Sequence, residues 1–484
     1  VVPRNLSAIW PWLLLAACAL VPRIVGAVVR PPWHDEYFTA WVAGLSWRHM
    51  LAALRLDSGP PLPYALAKLL ASTGLPPLAA ARVVSVAAGS AAVLLAAAAA
   101  RRAFGAAAGW WTGALVAVHP LAVFWSCGGR AYALLFAAVA WAWERLERLT
   151  NDGRGTVGLA LAVSLGCWSH AFGLVLAGTL VLAALTLGSP SRHRALLAVG
   201  IGLASNLPWL PIALTQPPAA TAWMRDAWTA LPAIEKLAAP ARLLPPAASF
   251  GSQLDLPSAP VLLQAAAAIL AVGLLVAAVR AVRPWLLVLV PAGGLAALAA
   301  AGAAAFYGGR AEVLYLAPFL ALLATAAGRG RAGRAAGALL VACGALVCGV
   351  ALRDWQHRPP SGEARLAAAI RRALPEGGTI IVGGYWRLGL KYHLGAAAVS
   401  FRLVNFPAEA AAHPGWYDPR VDRPSPAELE GLVAELRREL PRTAVVENPS
   451  LPTAGDLTLL ARALGLRRTL AVPGGVLYEP RPLS

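Results

Sequence analysis

Two carboxylates stand side by side in the stretch 33–41, WHDEYFTAW, as Asp35 and Glu36, with His34 before them and Trp33 and Trp41 on either side. Acids are scarce in this chain, 23 among 484 residues against 41 Lys and Arg, so a close pair calls for a reason. A solvated polar turn accounts for the acids but not for the tryptophans, which belong at a membrane–water interface. A divalent cation, Mg or Mn, would find oxygen and imidazole ligands in Asp35, Glu36 and His34, with Asp57 further on. General-base catalysis would use one carboxylate to take the proton from an attacking hydroxyl. Neighbouring side chains of an extended loop point apart. One base with one orienting or metal-holding partner therefore fits better than a two-carboxylate dyad. Cations that could meet an anionic ligand are available at Arg130 and Arg310, with Lys68 and Arg225 behind them. Arginine presents a planar, permanently charged fork to phosphate oxygens. The aromatic residues Trp33, Tyr37, Tyr132, Trp168 and Trp223 are suited to stacking on sugar rings or to marking the bilayer interface.

The elements that must carry these residues are apolar. The chain is 58% hydrophobic and 13% charged, with repeated runs near the roughly 20 residues that cross a bilayer as helix. Spans are expected near 6–29, 80–100, 107–126, 131–147, 156–169, 172–188, 195–214, 259–280, 284–305, 313–328 and 333–352, about eleven in all. The first is expected to be a retained helix and not a cleaved signal. The segment 60–74 is short and broken by proline, and is read as interfacial. That parity gathers Arg101–Arg102, the linker 144–154, Arg192–Arg194, Arg280 with Arg283, and Arg329, Arg331 and Arg334 on one side, cytoplasmic by the positive-inside rule. The outer face then holds Asp35, Glu36, Asp57, Arg130, His170, Arg225, Asp226, Arg310 and Glu312, with the first outer loop at about 30–79. Ionisable groups near membrane depth are costly, and several on one face point to a site. The net charge of +18 lies in short clusters between apolar runs, a topology signal and not a nucleic-acid stripe.

Beyond residue 352 the pattern changes. The last 132 residues hold 13 of the 23 acids and alternate amphipathic helix (SGEARLAAAIRRALP, SPAELEGLVAELRREL, DLTLLARALG) with strand (GGTIIVGG, RTAVVENP, RRTLAVPGGVLYEP). The expectation is a membrane domain over 1–352 and a soluble extracytoplasmic α/β domain over 353–484. No GxGxxG opens a helix there, so no dinucleotide site is indicated. Cysteines 18, 127, 167, 343 and 348 have no CxxC spacing and read as apolar filler.

The ordered series WHDEYFTAW, DSGPPLPYAL, the long segment from AARVVSVAAGS to SCGGRAYALLFA, SHAFGLVLA and NLPWLPIALTQ resembles the GT-C glycosyltransferases. Specifically, it is similar to the glycosyltransferase family 39-like bacterial relatives of protein mannosyltransferases and of the aminoarabinose–lipid A transferase. The resemblance covers about residues 8–215, and GGRAEVLYLAPFLALL extends it weakly to 328. It implies a polytopic α-helical GT-C fold in a bacterial cytoplasmic membrane and a polyprenyl-phosphate sugar donor. It also implies a lipid, glycan or protein acceptor and inverting transfer at the outer face. Asp35 matches the family's loop aspartate proposed as base and Glu36 its acidic neighbour. Asp57 matches the acid before the HPPLYY-type segment, here SGPPLPY, which ends at Tyr64 with Lys68 four residues on. Arg130 matches the arginine of the SQEARPYAL-type segment, with Tyr132 two residues on; His170 matches the histidine of HYFG, and Arg310, loosely, an arginine near the donor phosphate. This chain departs from the pattern at Gly59, where relatives have His, and at Cys127–Gly128–Gly129, where they have Gln-Glu-Ala. Those departures keep open an inactive relative. A lipid-sugar binding or transport protein is the other alternative, although no internal repeat of the transporter kind is found. Transfer of a phosphorylated alcohol or an acyl group is disfavoured because no GxSxG or other nucleophile constellation appears on the outer face.

Overall fold

The computed structural model describes residues 9–217, 282–300, 310–383, 386–406, 426–437, 442–447, 454–473 and 475–480, together with 220, 229–230, 232–233 and 439. In chain order the helices are α1 (Trp10–Val29), α2 (His34–Gly44), α3 (Trp47–Arg55), α4 (Leu62–Ala71), α5 (Pro77–Phe104), α6 (Ala106–Val118), α7 (Pro120–Cys127), α8 (Tyr132–Asp152), α9 (Thr156–Ser169) and α10 (Gly173–Leu185). They continue as α11 (Ser189–Ala204), α12 (Leu210–Leu214), α13 (Val282–Ala300), α14 (Leu316–Ala327), α15 (Gly330–His357), α16 (Gly362–Ala373), α17 (Trp386–Leu394), α18 (Pro426–Leu436) and α19 (Ala454–Ala463). Five strands complete the set: β1 (Gly378–Gly383), β2 (Phe401–Phe406), β3 (Thr443–Glu447), β4 (Arg467–Val472) and β5 (Gly475–Glu479). These elements form two units, one of residues 1–30 and 58–357, the other of 31–57 and 358–484. The division falls after His357 because α15 continues five residues past 352, and the segment carrying α2 and α3 groups with the C-terminal elements.

The first unit is helical and apolar. Trp10–Val29, Pro77–Phe104, Ser189–Leu214 and the stretch opening at Gly330 are each long and apolar enough to cross a bilayer. Other expected spans are helices of 10–17 residues, among them α9, α10 and α14. The expected span 259–280 lies outside the described residues, as do Arg225, Asp226, Trp223 and Arg280. The run 107–126, expected as one straight span, is two helices meeting at 58°. Proline explains the break. Pro120 offers no N–H, and it drives His119 to an extended conformation (φ −66°, ψ 122°). The break strands the last carbonyls of α6 in an apolar interior, where unpaired backbone is costly. Arg23, wholly buried on α1, donates from Nη1 to Ala117 O (3.1 Å) and from Nη2 to Val116 O (3.3 Å). Cys348 Sγ donates to Val118 O (2.9 Å). At the C-terminus of α1, Arg82 donates to Ala27 O (2.7 Å) and Arg30 O (3.0 Å), placing a cation where a helix C-terminus favours one. Where α5 and α8 leave the apolar layer, Glu144 meets Arg102, Arg145 and Arg148 within 3.4 Å.

The second unit is α/β. Its sheet runs β2-β1-β3-β5-β4, with β1 parallel to both β2 and β3, β5 antiparallel to β3, and β4 antiparallel to β5. Buried Ile380, Ile381 and Val382 give β1 the continuous apolar run of a parallel strand covered on both faces. Leu366 and Ile370 of α16 and Trp386 and Leu390 of α17 pack on one face, Leu436 of α18 and Leu457 and Leu460 of α19 on the other. The expected helices and strands of this region are all present. The sequence reading lacked α17 and β2.

Candidate functional site

The carboxylate pair lies in the second unit, in the first turn of α2. This corrects the expectation of an extended loop. Pro31 and Pro32 end the approach from α1, and Trp33, extended at φ −123° and ψ 172°, caps the new helix by accepting from the N–H groups of Glu36 (2.9 Å) and Tyr37 (3.1 Å). Two acids at a helix N-terminus meet the positive end of its dipole and its unsatisfied N–H groups, so the pair also stabilises α2. Helical geometry gives the neighbours different surroundings. Asp35 is half-buried, whereas Glu36 is fully buried. A base that meets an incoming hydroxyl must be reachable, which favours Asp35. Asp57 follows α3 in the same unit and is half-buried, its N–H donating to Leu54 O (3.3 Å).

The cation expectation does not fit this arrangement. Residues 34, 35 and 36 of a helix project about 100° apart, so His34, Asp35 and Glu36 together sweep roughly 200° of its circumference and do not converge on one ion. Among the described residues no group of three His, Cys, Asp or Glu side chains is placed to hold a metal.

The cationic residues lie in the first unit. Arg130 and Tyr132 open α8, His170 sits in the turn between α9 and α10, and Arg310 precedes a 3-10 turn, Ala311–Leu314. The structure brings these four together. The His170 ring lies 4.9 Å from that of Tyr132 and 4.5 Å from that of Phe172, and Tyr132 stacks at 4.0 Å on buried Trp125. Burial first, then the charges of Arg130 and Arg310, push the His170 pKa down to about 3. The imidazole is therefore neutral. Its Nδ1 accepts from Phe172 N–H (3.1 Å), which assigns the proton to Nε2 and makes that nitrogen a donor. The cluster thus offers a donor set of two guanidinium groups and one neutral N–H, with buried Glu312 two residues from Arg310. Such a set suits a phosphate.

Tyr64 and Lys68 lie one turn apart on α4, Tyr64 buried and Lys68 half-buried. Trp168 donates to Ser205 O (3.2 Å), and Tyr37 is buried within its own unit, so both have structural partners. The departure at Cys127–Gly128–Gly129 has a packing counterpart. A Cβ on Gly129 would meet Ala81 Cβ of α5 at 2.9 Å, so the close approach of α5 to the start of α8 needs glycine there. Ser85 Oγ of α5 donates to Arg130 O (3.3 Å) across that contact. Two buried arginines that sequence reasoning missed, Arg23 and Arg82, are taken up by helix-end carbonyls. Their only signal was a lone cation inside an apolar run.

No family model and no curated protein sequence matches the chain. Solved structures do. ArnT from Cupriavidus metallidurans bound to undecaprenyl phosphate superposes with a TM-score of 0.62 at 15% identity, covering 98% of this chain and 99% of that one. The oligosaccharyltransferase of Archaeoglobus fulgidus, tethered to an acceptor peptide, gives a TM-score of 0.53 at 12% identity over 98% of this chain and 74% of its own. The same archaeal enzyme in complex with an inhibitory peptide and a dolichol-phosphate gives 0.50 at 12% identity. The chain has the GT-C fold that these proteins share.

Proposed function

We propose that this protein is an inverting glycosyltransferase of a bacterial cytoplasmic membrane, moving a sugar from a polyprenyl-phosphate donor to a lipid, glycan or protein acceptor at the outer face. The observation that carries the reading is the neutral His170 held with Arg130 and Arg310, in a fold shared with a protein bound to undecaprenyl phosphate. In the proposed reaction Asp35 takes the proton of the acceptor hydroxyl, and that oxygen attacks the anomeric carbon. The bond from that carbon to the phosphate oxygen breaks with its electron pair leaving on the polyprenyl phosphate. A single displacement inverts the carbon. Arg130 and Arg310 stabilise the charge that grows on the phosphate, and His170 Nε2–H adds a hydrogen bond without adding a charge. Glu36 sits beside the base, buried, and Tyr132 with Trp125 forms an aromatic wall next to the cation cluster.

The test is transfer of labelled sugar from a panel of polyprenyl-phosphate sugars to membrane extract, wild type against Asp35→Asn, with and without chelator. Turnover of one donor by wild type, with binding but no turnover by Asp35→Asn, supports the reading. A donor bound and consumed by neither protein would favour a lipid-sugar binding role, the second reading that the departure at Gly128–Gly129 keeps in view.

A further inference from the structure

The helix that carries the carboxylates is fastened to the C-terminal elements of its own unit. One residue beyond Glu36, Tyr37 points away from solvent at 2% exposure, and its hydroxyl lies 2.7 Å from His393 Nε2 at the end of α17. The two rings meet edge-on with centroids 5.6 Å apart, and Tyr392 adds a second ring contact with Tyr37 at 5.2 Å. Close approach is secured by Gly389, where a Cβ would lie 2.5 Å from Glu363 Cγ and 3.2 Å from Tyr37 Cε2. Burial keeps the phenol protonated and lowers the imidazole pKa. The phenol therefore donates and Nε2 accepts. His393 is itself held from α16 and its cap: Ser361 Oγ lies 3.4 Å from the same Nε2, and Arg371 Nη1 donates to His393 O (3.3 Å).

We infer that His393, acting through Tyr37, is a positioning residue that fixes the rotation of α2 and hence the direction in which Asp35 and Glu36 point. The inference rests on the base role proposed above for Asp35. A helix of three turns anchored at its fourth residue turns as a unit, so a loosened Tyr37 swings the adjacent carboxylates by the same angle. Residues 358–484 thereby contribute to transfer by holding α2, the helix that carries the base.

The experiment compares full-length wild type, Tyr37→Phe, His393→Ala and His393→Gln in lipid vesicles, reading amide hydrogen exchange over residues 34–44 together with kcat and KM for the polyprenyl-phosphate sugar. Tyr37→Phe and His393→Ala are expected to lower protection of 34–44 and kcat by about tenfold each, the worth of one buried hydrogen bond, with KM unchanged. His393→Gln, whose side-chain amide retains a hydrogen-bonding group at that position, is expected to recover most of both. Exchange in β1 reports whether the domain remains folded, and Tyr37→Phe, which loses one oxygen, stands in should His393→Ala unfold it. Unchanged protection of 34–44 in Tyr37→Phe, or a fall in kcat equally deep in His393→Gln, overturns the inference. If wild type turns over no donor, the glycosyltransferase reading fails and the exchange data alone decide the anchor.

Discussion

Asp35 and Glu36 differ by one position and by almost everything that determines their chemistry. The half-buried Asp35 can meet a hydroxyl, and Asp35→Asn is expected to reduce turnover by about 10²–10⁴-fold while donor binding persists, measured by single-turnover transfer beside equilibrium binding of the lipid-linked sugar. Arg130→Ala and Arg310→Ala should instead weaken donor binding, each by about 10–100-fold if a charge-assisted hydrogen bond of about 1.5–3 kcal/mol is lost. Lysine at either position is expected to recover charge but not the fork, and so only part of the affinity. His170 allows a sharper expectation. With its pKa pushed down to about 3, it does not change charge between about pH 5 and about pH 8, and donor affinity should be flat across that range. A step in affinity near the ordinary histidine pKa would contradict the neutral-donor role. Helical projection of His34, Asp35 and Glu36 predicts that chelation leaves transfer unchanged.

At the scale of elements, the sequence reading succeeded where periodicity had length to work with and failed where an element was short. The run TIIV of β1 and the amphipathic helices α16 and α18 were legible because burial on one or both faces leaves a regular pattern. α2 was read as a loop because two prolines precede it and its first turn is the most polar stretch nearby, although acids in a first turn are themselves a helix-start signal. β2, FRLVNF, escaped because Arg402 and Asn405 interrupt its apolar character. The bend between α6 and α7 was hidden by hydropathy, which is blind to the single missing N–H of Pro120. In the site, residue types were legible and their company was not. No pattern in the sequence pairs Tyr37 with a histidine 356 positions later. That pairing carries a pH dependence. Its folded-state pKa is lowered, chiefly by burial, with the Arg371 charge acting the same way and Glu363 opposing, while Tyr37, Tyr392 and Ser361 face it without charge. A histidine so lowered binds its proton more readily when released, so its contribution to holding α2 falls as pH drops below the unfolded value of about 6.5. Amide exchange over 34–44 is expected to quicken there in wild type, and to show no such step in His393→Gln.

The proposed reaction draws on both units, the arginines of the apolar helical one and the carboxylates of the α/β one. Removal of residues 358–484 is therefore expected to abolish transfer yet spare binding of the polyprenyl-phosphate sugar, since Arg130, His170 and Arg310 all belong to the unit that remains. Equal loss of both, in a truncated protein that still enters membranes, would assign the C-terminal elements a part in donor binding. Composition shows a change at residue 352, where the acids become concentrated. It could not show that 31–57 belongs with them, because segments distant in the chain leave no mark on each other's composition. Arg23 adds a consequence in time. Its carbonyl partners on α6 lie 93 and 94 residues downstream, so at about 5–20 residues per second a ribosome has them ready roughly 5–20 s after Arg23 itself. Throughout that interval the guanidinium has its bond to Ala19 O of the same helix (2.8 Å) but lacks the two on α6, at a depth where an arginine costs about 2.5–3.5 kcal/mol. α1 thus begins life as a poor anchor. Two of the three carbonyls that hold Arg23 belong to a helix break that has not yet been synthesised when α1 emerges.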